Sequence, residues 1–490
     1  MKFLKIAMVL ALTSLVAVGA YAETQSVKIS GDLAMRSFAR NNYDLDNNDP
    51  NVANTGVESS DWSTYLTNTA EVQVDADLTD NVTGVIRLVN QRLWGDVYGN
   101  NTAADNTYGI IGAPYTDQVA ARTVSSADSF DVNVDLAYIE LKEFLYSPLT
   151  LKIGRQDLWF GKGFIVGANL QDPNGNLLPR EYTAIKSFDA IRATLDYDPW
   201  TIDGVFAKIR ENQDRADEDI NLWGTNVGYK FNEYNAEAEG YWWFKQQRYV
   251  GTTSNGATMP SVLNGHQSND VHTFGLRGSF DPIEDWTIAL EGAYQLGEYI
   301  GAAQQIEERS RSAWAVDAMV ECRYFQDNFA WRPVVGAEYI LYSGEENLGN
   351  TTATTNGTYN GWDPVYRGKF DTAIREFQNV FYRTAMGSSP STTNQHQILL
   401  TGKVEPTDSL TLKGTFGNFW LAEEWASTTT VVNQNEEQYL GSEADITLTW
   451  DYTEDVQFGL LTAWFFPGDH FANSQDDVAT DVVGSVSLNF

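Results

Sequence analysis

The residues that could carry out nucleophilic chemistry are few in this chain of 490 residues, which has four histidines and one cysteine. Hydrolysis by a serine requires a histidine base beside the hydroxyl and a third group that orients the histidine. His266 and Ser268 stand close together, but they lie in a polar stretch where no third group has a readable position. The sequence therefore does not favour an enzyme, and it predicts no catalytic residue.

Oxygen-rich side chains in the stretch "DLDNNDPN" raise the question of a metal site. Asp44, Asp46 and Asn48 supply alternating oxygen groups of the kind that Ca²⁺ prefers. The stretch lacks the sixth-position glycine and the twelfth-position glutamate of an EF-hand loop. A calcium-binding loop and a solvated loop both remain open as interpretations. No other metal site and no cofactor is predicted.

Charged side chains recur at alternate positions of otherwise apolar stretches. Glu443 and Asp445 alternate with Ala444 and Ile446, and the stretch 314–324 repeats the pattern. Successive residues of a β-strand point to opposite faces, so each such strand has one apolar face and one charged face. A wall with these two faces is typical of a transmembrane β-barrel.

Composition and charge narrow the class of protein further. The formal net charge is −34, which argues against a nucleic-acid partner because few cations would be available to neutralise phosphates. A single cysteine, Cys322, excludes an intramolecular disulfide. The apolar residues, 42% of the chain, are dispersed by alternation rather than gathered into amphipathic helices. The predicted fold class is therefore all-β.

The N-terminus has the three parts of a secretory signal peptide. Two lysines precede an apolar run that ends at Ala20, and "AYA" gives an A-x-A cleavage site before Glu23. We expect residues 1–22 to be the signal peptide and residues 23–490 to form a transmembrane β-barrel with long extracellular loops. An N-terminal anchor helix is the alternative. No later apolar run approaches the ~20 residues that a spanning helix needs.

The spacing of turn residues sets the expected number of strands. Short polar turns carrying Asp, Asn or Pro recur along the chain, and longer polar segments separate them. Eight short turns, together with both chain ends on the same side, imply nine hairpins and hence about 18 antiparallel strands of outer-membrane type. The short turns are 78–81, 146–148, 197–199, 231–234, 281–285, 326–328, 405–408 and 452–455, and the long segments are 41–61, 97–129, 161–187, 251–269 and 345–393.

The C-terminal run "VVGSVSLNF" is predicted to be the strand that closes the barrel. Its apolar and polar residues alternate, and pairing with the first strand near 27–40 would leave no open edge in the membrane. The last residue, Phe490, belongs to the set of alternate positions that carry the apolar side chains. A terminal aromatic in this position resembles the signal that outer-membrane proteins present to the barrel assembly machinery, so we predict that Phe490 serves assembly.

Four stretches together resemble the alginate export family of outer-membrane barrels. They are "VIRLVNQRLWGD" (85–96), "AYIELKEFLYSPLTLKIGRQDLWFGKGFIVG" (137–167), "YLGSEADITLTW" (439–450) and "WFFPGDHF" (464–471), and "SFDAIRATLDY" (187–197) matches more loosely. The resemblance implies an 18-strand barrel that conducts a polyanionic polysaccharide along an arginine-rich lumen. It also implies that the arginines within these stretches contribute to the pore lining.

One of these arginines has the wrong parity for the lumen. Arg155 shares parity with Leu151 and Ile153, so we expect it to reach the lumen through a bulge at Gly154. The inward-facing positions as a whole mix both signs of charge. Their acids, which also include Asp32, Asp75, Glu237, Glu239, Glu291 and Glu338, are at least as numerous as their bases, so anion selectivity does not follow. The residues predicted to line the solute path are Lys28, Arg36, Glu71, Arg87, Arg92, Arg155, Arg192, Arg277, Asp317, Glu321, Arg323, Arg332, Lys403, Lys413, Glu443 and Asp445.

Two functions fit these predictions. The first is an outer-membrane channel that passively conducts hydrophilic solutes, among them an anionic oligo- or polysaccharide such as alginate. The second is a non-transporting barrel, plugged by its loops, that acts as an adhesin, receptor or structural protein. The segment 161–187, rich in Gly, Asn and Pro, is predicted to fold inward as a constriction. The expected partners are outer-membrane lipid, the solute and the assembly machinery, and we expect a monomer.

Overall fold

The structure is a computed structural model that describes residues 26–43, 45, 62–94, 132–169, 186–211, 219–249, 267–299, 309–345, 357–381, 392–424, 437–471 and 476–490. The predicted signal peptide and the candidate calcium ligands Asp44, Asp46 and Asn48 lie outside these residues. Within the described ranges, no helix is long and apolar enough to cross a membrane.

Strands account for most of the described residues, and two short helices lie between strands. The helices are α1 (Tyr324–Asn328) and α2 (Ile374–Phe381). The strands are β1 (Ser26–Asn41), β2 (Trp62–Thr79), β3 (Val82–Leu93), β4 (Asn133–Leu141), β5 (Leu149–Gln156), β6 (Phe188–Tyr197), β7 (Trp200–Arg210), β8 (Ile220–Phe231), β9 (Ala236–Tyr249), β10 (Gln267–Ser268), β11 (Val271–Ile283), β12 (Trp286–Tyr299), β13 (Arg309–Cys322), β14 (Val334–Tyr342), β15 (Gln395–Thr407), β16 (Leu410–Leu421), β17 (Tyr439–Asp451), β18 (Val456–Pro467) and β19 (Ala479–Asn489).

Each strand pairs antiparallel with its neighbours in sequence, and β1 pairs with β19. The two-residue β10 extends the ladder beside β9, while β11 pairs directly with β9. The wall is therefore a closed antiparallel barrel of 18 strands, which confirms the predicted fold class and strand number.

The connections divide the barrel into two different ends. The short turns join β2 to β3, β4 to β5 and so on to β17 and β18, at the end where β1 begins and Phe490 lies. We call this the turn end and the opposite one the loop end. The turns coincide with those predicted, because Asp, Asn and Pro define them locally. By the rule for outer-membrane barrels, we expect the turn end to face the periplasm.

Residues of alternate parity face opposite sides of the wall, as predicted. On β12 and β13, Leu290 and Trp314 are about half exposed on the outer face, while Glu291 and Asp317 are buried inside. An arginine or lysine on the lipid face would cost roughly 2–4 kcal/mol at the membrane midplane, and an aspartate or glutamate less. This cost explains why the acids of both strands share the inward parity.

The last residue of the chain completes the closure of the barrel. The Gly31 nitrogen donates to the Phe490 oxygen at 3.0 Å, and the Phe490 nitrogen donates to the Gly31 oxygen at 3.1 Å. The Phe490 side chain is exposed on the outer face. A Cβ added to Gly31 would lie 2.5 Å from its ring, so the glycine gives the ring room against the wall.

Deleting Phe490 should lower the amount of folded, membrane-inserted protein several-fold. The deletion removes two closing hydrogen bonds and the terminal aromatic, whereas Asn489→Ala, at an inward-facing position, keeps both. Heat-modifiable mobility of the outer-membrane fraction on SDS gels measures the folded amount. A normal level of inserted protein after the deletion would contradict the assembly role of Phe490.

Candidate solute pathway

Two described segments enter the barrel from the loop end. We call residues 157–169, which follow β5, the short lumenal segment, and residues 357–381, which precede β15 and contain α2, the long lumenal segment. Phe164 of the short segment stacks on Tyr342 of the wall, with ring centroids 5.5 Å apart. The predicted inward fold of 161–187 is thereby confirmed for 161–169, and residues 170–185 lie outside the described part.

The loop-end half of the lumen contains a packed apolar core. Phe188 of the wall meets Tyr366 edge to face with centroids 5.6 Å apart, and Phe160 meets Trp243 at 4.8 Å. Phe188, Tyr366 and Trp243 are buried and Phe160 is partly buried against them, so both segments bury apolar surface inside the barrel. Core residues of the segments are Leu158, Phe164, Ile165, Val166, Trp362, Val365, Tyr366, Ile374 and Phe377.

The two lumenal segments also bond to each other through their backbones. The Tyr366 nitrogen donates to the Ile165 oxygen at 3.0 Å, and the Gly167 nitrogen donates to the Tyr366 oxygen at 2.8 Å. Gly167 and Gly368 pass so closely that a Cβ on Gly368 would lie 2.6 Å from the Gly167 carbonyl carbon. Glycine at both positions is therefore required by the close approach of the backbones.

Two predicted pore-lining acids hold the start of α2. The amides of Ile374 and Arg375 donate to Glu443 at 2.6 and 2.8 Å, and the Ala373 amide donates to Asp445 at 3.1 Å. Carboxylates are favourable here because the first amides of a helix lack partners within it and carry partial positive charge. Glu443 and Asp445 thus anchor the long lumenal segment to β17.

Lys369 makes a second anchor of the long lumenal segment. Its ammonium bonds to Asp317 at 2.8 Å and to Glu338 at 2.7 Å, on adjacent wall strands. Burial opposes the charge, but the carboxylates of Asp371, Asp317 and Glu338 outweigh it and hold the pKa of Lys369 above its usual value. The short segment contributes Lys162, whose ammonium lies 3.7 Å from Glu338.

A third anchor lies at Asp363. Its carboxylate bonds to Lys245 of β9 at 3.0 Å, and its backbone exchanges two hydrogen bonds with the Gln295 side chain at 2.7 and 2.9 Å. Burial raises the pKa of Asp363, but the charges of Lys245 and Arg311 outweigh it, so the pKa lies below its usual value. The long segment is therefore tied to several wall strands by polar contacts.

The arginines predicted for the lumen carry carboxylate partners. Arg87 pairs with buried Asp135 and lies 3.6 Å from both Glu71 and Asp157. Arg192 pairs with Asp203 at 2.8 Å.

Arg192 and Arg277 also meet the short lumenal segment. Arg192 lies over the Phe160 ring, 4.9 Å from its centroid. Arg277 pairs with Glu239 and, at 2.5 Å, with Glu237. Its side chain lies against Gly161, where an added Cβ would be 3.0 Å from the Arg277 Cδ. The lumenal charge is therefore mixed in sign, as predicted, and it is locally paired.

Six further residues of the predicted lining lie nearer the turn end than the packed core, five on inward-facing strand positions and Arg323 directly after β13. Arg323 bonds to Glu321 at 3.3 Å, and Lys403 bonds to Glu405 at 2.8 Å. Their part in a solute path stays a prediction. The six are Lys28, opposite Asp75; Arg36, opposite Ser485; Lys413, opposite Lys403; and Glu321, Arg323 and Lys403 themselves.

The position predicted for Arg155 is wrong. The ladders of β5 with β4 and β6 run without a register shift, so no bulge lies at Gly154. Arg155 stands opposite Asp189, on the parity of outward-facing Ile191, and bonds to it at 3.4 Å. Both residues lie near the loop end, where a charge pair avoids the cost of the membrane midplane.

Arg332 and Arg92 are the last two arginines of the predicted lining. Arg332 lies before β14, in the connection that contains α1, and bonds to exposed Asp408 at 2.9 Å. It therefore lies at the rim of the turn end rather than on a wall strand as predicted. The backbone of Arg92 lies in β3, but its side chain is outside the described part of the structure.

The sequence reasoning missed the lumenal residues that contact these wall charges. Lys369 and Asp363 lie in 345–393, which was interpreted as a long polar loop. Lys162 lies in 161–187, for which an inward fold was predicted but no contact with the wall charges. A signal was present, since Trp362, Tyr366 and the helix-spaced Ile374 and Phe377 are unusually apolar for an exposed loop.

The closed 18-strand wall, apolar outside and charged inside, defines a bacterial outer-membrane β-barrel of the porin type. A protein-family model described as alginate export matches residues 49–485. The chain belongs to the alginate export family. Among curated proteins, none matches the chain.

Solved structures of porins from Pseudomonas share the fold. OccK9 (OpdG) of Pseudomonas aeruginosa has 13% identity and a TM-score of 0.52, over 95% of this chain and 99% of that one. OccK2 (OpdF) of the same species has 10% identity and a TM-score of 0.52, over 95% and 99%. A BenF-like porin from Pseudomonas fluorescens Pf-5 has 11% identity and a TM-score of 0.51, over 95% and 100%. At these identities the similarity extends to the fold alone.

Replacing Arg87 and Arg192 together by Gln should shift the reversal potential in a salt gradient toward cation preference. The change removes two lumenal positive charges and leaves their carboxylates in place. Arg155→Gln is the matched control, because that arginine lies on the outer parity, and it should leave the potential unchanged. The shift should shrink as the screening length falls from about 10 Å at 0.1 M salt to about 3 Å at 1 M. An unchanged potential in the folded double variant would assign both arginines a purely structural role.

Proposed function

We propose that this protein is a passive channel for hydrophilic solutes of the saccharide type. The observation that carries the proposal is the turn-end half of the lumen, whose wall presents charged side chains, many of them paired, beyond the apolar core of the loop-end half. Toward the turn end these groups are partly exposed, as at Lys28, Lys413 and Glu321. Such a surface can exchange hydrogen bonds with a hydrated solute along its length.

Conduction requires the two lumenal segments to move from the packed arrangement. They are held by hydrogen bonds, ion pairs and side-chain packing, and α2 begins on the wall carboxylates Glu443 and Asp445. Contacts of this kind can break and re-form without disturbing the barrel ladders. The packed arrangement is therefore the closed state in this proposal.

The family supplies a finer candidate, an anionic oligo- or polysaccharide such as alginate. Arg87 and Arg192 support it, because guanidinium groups can replace water around a carboxylate. Their present partners are wall carboxylates, which a polyanion would have to displace. No covalent step is part of this proposal, and we propose that the protein is not an enzyme.

A plugged barrel that acts as a receptor or adhesin is the second candidate. The observation that favours it is the density of the core between the lumenal segments and the wall, where Phe164, Tyr342 and Tyr366 are buried. A measurement of solute passage distinguishes the channel from the plugged receptor or adhesin directly.

Liposomes containing the protein should swell in isotonic saccharide solutions, and Gly368→Ala should swell faster than the wild type. The new Cβ collides with Gly167 and weakens the contact between the segments by about 1–3 kcal/mol, the usual cost of overpacking. Gly292→Ala is the matched control, since a Cβ there meets no atom within 4 Å. Absence of swelling for both the wild type and Gly368→Ala would favour the plugged receptor.

A further inference from the structure

Two aromatic rings lie flat against the inner wall beside the tip of the short lumenal segment. A Cβ on Gly224 would lie 2.0 Å from the Trp243 ring, and a Cβ on Gly275 would lie 2.2 Å from the Tyr241 ring. Each ring therefore packs against a glycine of a neighbouring strand, and Phe160 of the short lumenal segment covers Trp243. A flat indole face is the kind of surface on which the C–H face of a sugar ring packs.

Polar groups without partners lie beside these rings. Glu291 is 5% exposed, and its Oε1 accepts from the Tyr241 hydroxyl at 2.8 Å. Its Oε2 is buried and has no hydrogen-bond partner among the described residues, and the same holds for the Arg277 Nε. Unpaired buried groups are costly, and a ligand hydroxyl could satisfy both, since it donates and accepts.

The tip of the short lumenal segment covers this site. Phe160 packs on Trp243, and the Gly161 backbone passes over Arg277, where an added Cβ would lie 3.4 Å from the unpartnered Nε. The cavity that remains, lined by the tip and by Tyr241, Trp243, Arg277 and Glu291, has a volume of about 10 Å³. That volume is enough for about one water molecule, so a sugar unit must displace the tip.

The local charge indicates which kind of sugar fits. Three carboxylates, on Glu237, Glu239 and Glu291, surround the single guanidinium of Arg277. The other cations on the neighbouring wall and tip have carboxylate partners of their own: Arg192 pairs with Asp203, Lys245 with Asp363, and Lys162 lies 3.7 Å from Glu338. An anionic sugar would meet excess negative charge, whereas a neutral sugar would offer hydroxyls to the unpaired carboxylate oxygen.

We propose that Trp243, Tyr241, Arg277 and Glu291 form a binding subsite for a neutral hexose unit, and that Phe160 and Gly161 occupy the subsite when no saccharide is bound. The inference rests on the proposed function, because it specifies which class of saccharide is bound and at which point along the solute path. In the closed state, Phe160 and Gly161 compete with the saccharide for the subsite. Removing the Phe160 ring therefore raises the fraction of molecules in which the subsite is open.

Calorimetric titration of the folded, detergent-solubilised full chain with maltohexaose, a neutral hexasaccharide, tests the inference. Phe160→Ala should bind about tenfold more tightly than the wild type, and Trp243→Leu should bind about tenfold more weakly. Trp242→Leu is the matched control, since Trp242 neighbours Trp243 on the opposite face of β9, and it should bind as the wild type does. A hexauronate of the alginate type should bind more weakly than maltohexaose.

Different results would overturn the subsite, its preference for a neutral sugar, or conduction. Equal affinities for Trp243→Leu and Trp242→Leu, or no binding by both the wild type and Phe160→Ala, would overturn the subsite. Tighter binding of the hexauronate would overturn the preference for a neutral sugar. If Trp243→Leu does not fold, the affinity of Phe160→Ala for maltohexaose, compared with that of the wild type, decides whether the subsite exists. Liposome swelling without maltohexaose binding leaves the proposed function standing, and binding without swelling refutes conduction while the subsite stands.

Discussion

Buried carboxylates on the inner wall need partners, and the interior of this barrel depends on how the chain supplies them. Glu443 and Asp445 receive the first amides of α2, and Asp317 and Glu338 share the ammonium of Lys369. Removing one partner of a buried charge pair typically costs about 3–5 kcal/mol. The wall acids therefore determine where the long lumenal segment lies, and that segment in turn positions the short one through the contact of Gly368 with Gly167.

The consequence is a lumen with two different halves. Toward the loop end, both segments pack apolar side chains against the wall, whereas toward the turn end the wall is polar and partly open. A solute that enters from the turn end meets the boundary between these halves near Arg192, Arg277 and the tip at Phe160. Because the tip rests on an aromatic and acidic surface, the step that opens the path and the step that binds a sugar would use the same residues.

The wall could be predicted from the sequence because its signals are local. Period-two alternation placed Asp317 and Glu443 inside, and Asp, Asn and Pro marked the turns that give 18 strands. The lumenal contacts could not be predicted in this way, since Lys369 reaches Asp317 across 52 residues of chain and no period connects them. Arg155 was misplaced because the cost of a charge on the lipid face was given more weight than the residue's own parity, which the ladders follow.

The central claim is that the long lumenal segment, held by wall carboxylates, closes the loop-end half of the barrel. Single-channel recording in planar bilayers, comparing the wild type with a variant in which residues 359–380 are replaced by a short glycine–serine linker, tests it most directly. The strand pairings that close the barrel do not include these residues, which meet the wall backbone at the bridge of Tyr359 to Arg311, so the variant should fold and insert. We expect a unit conductance several-fold above that of the wild type. A folded variant with the same conductance as the wild type would contradict the claim.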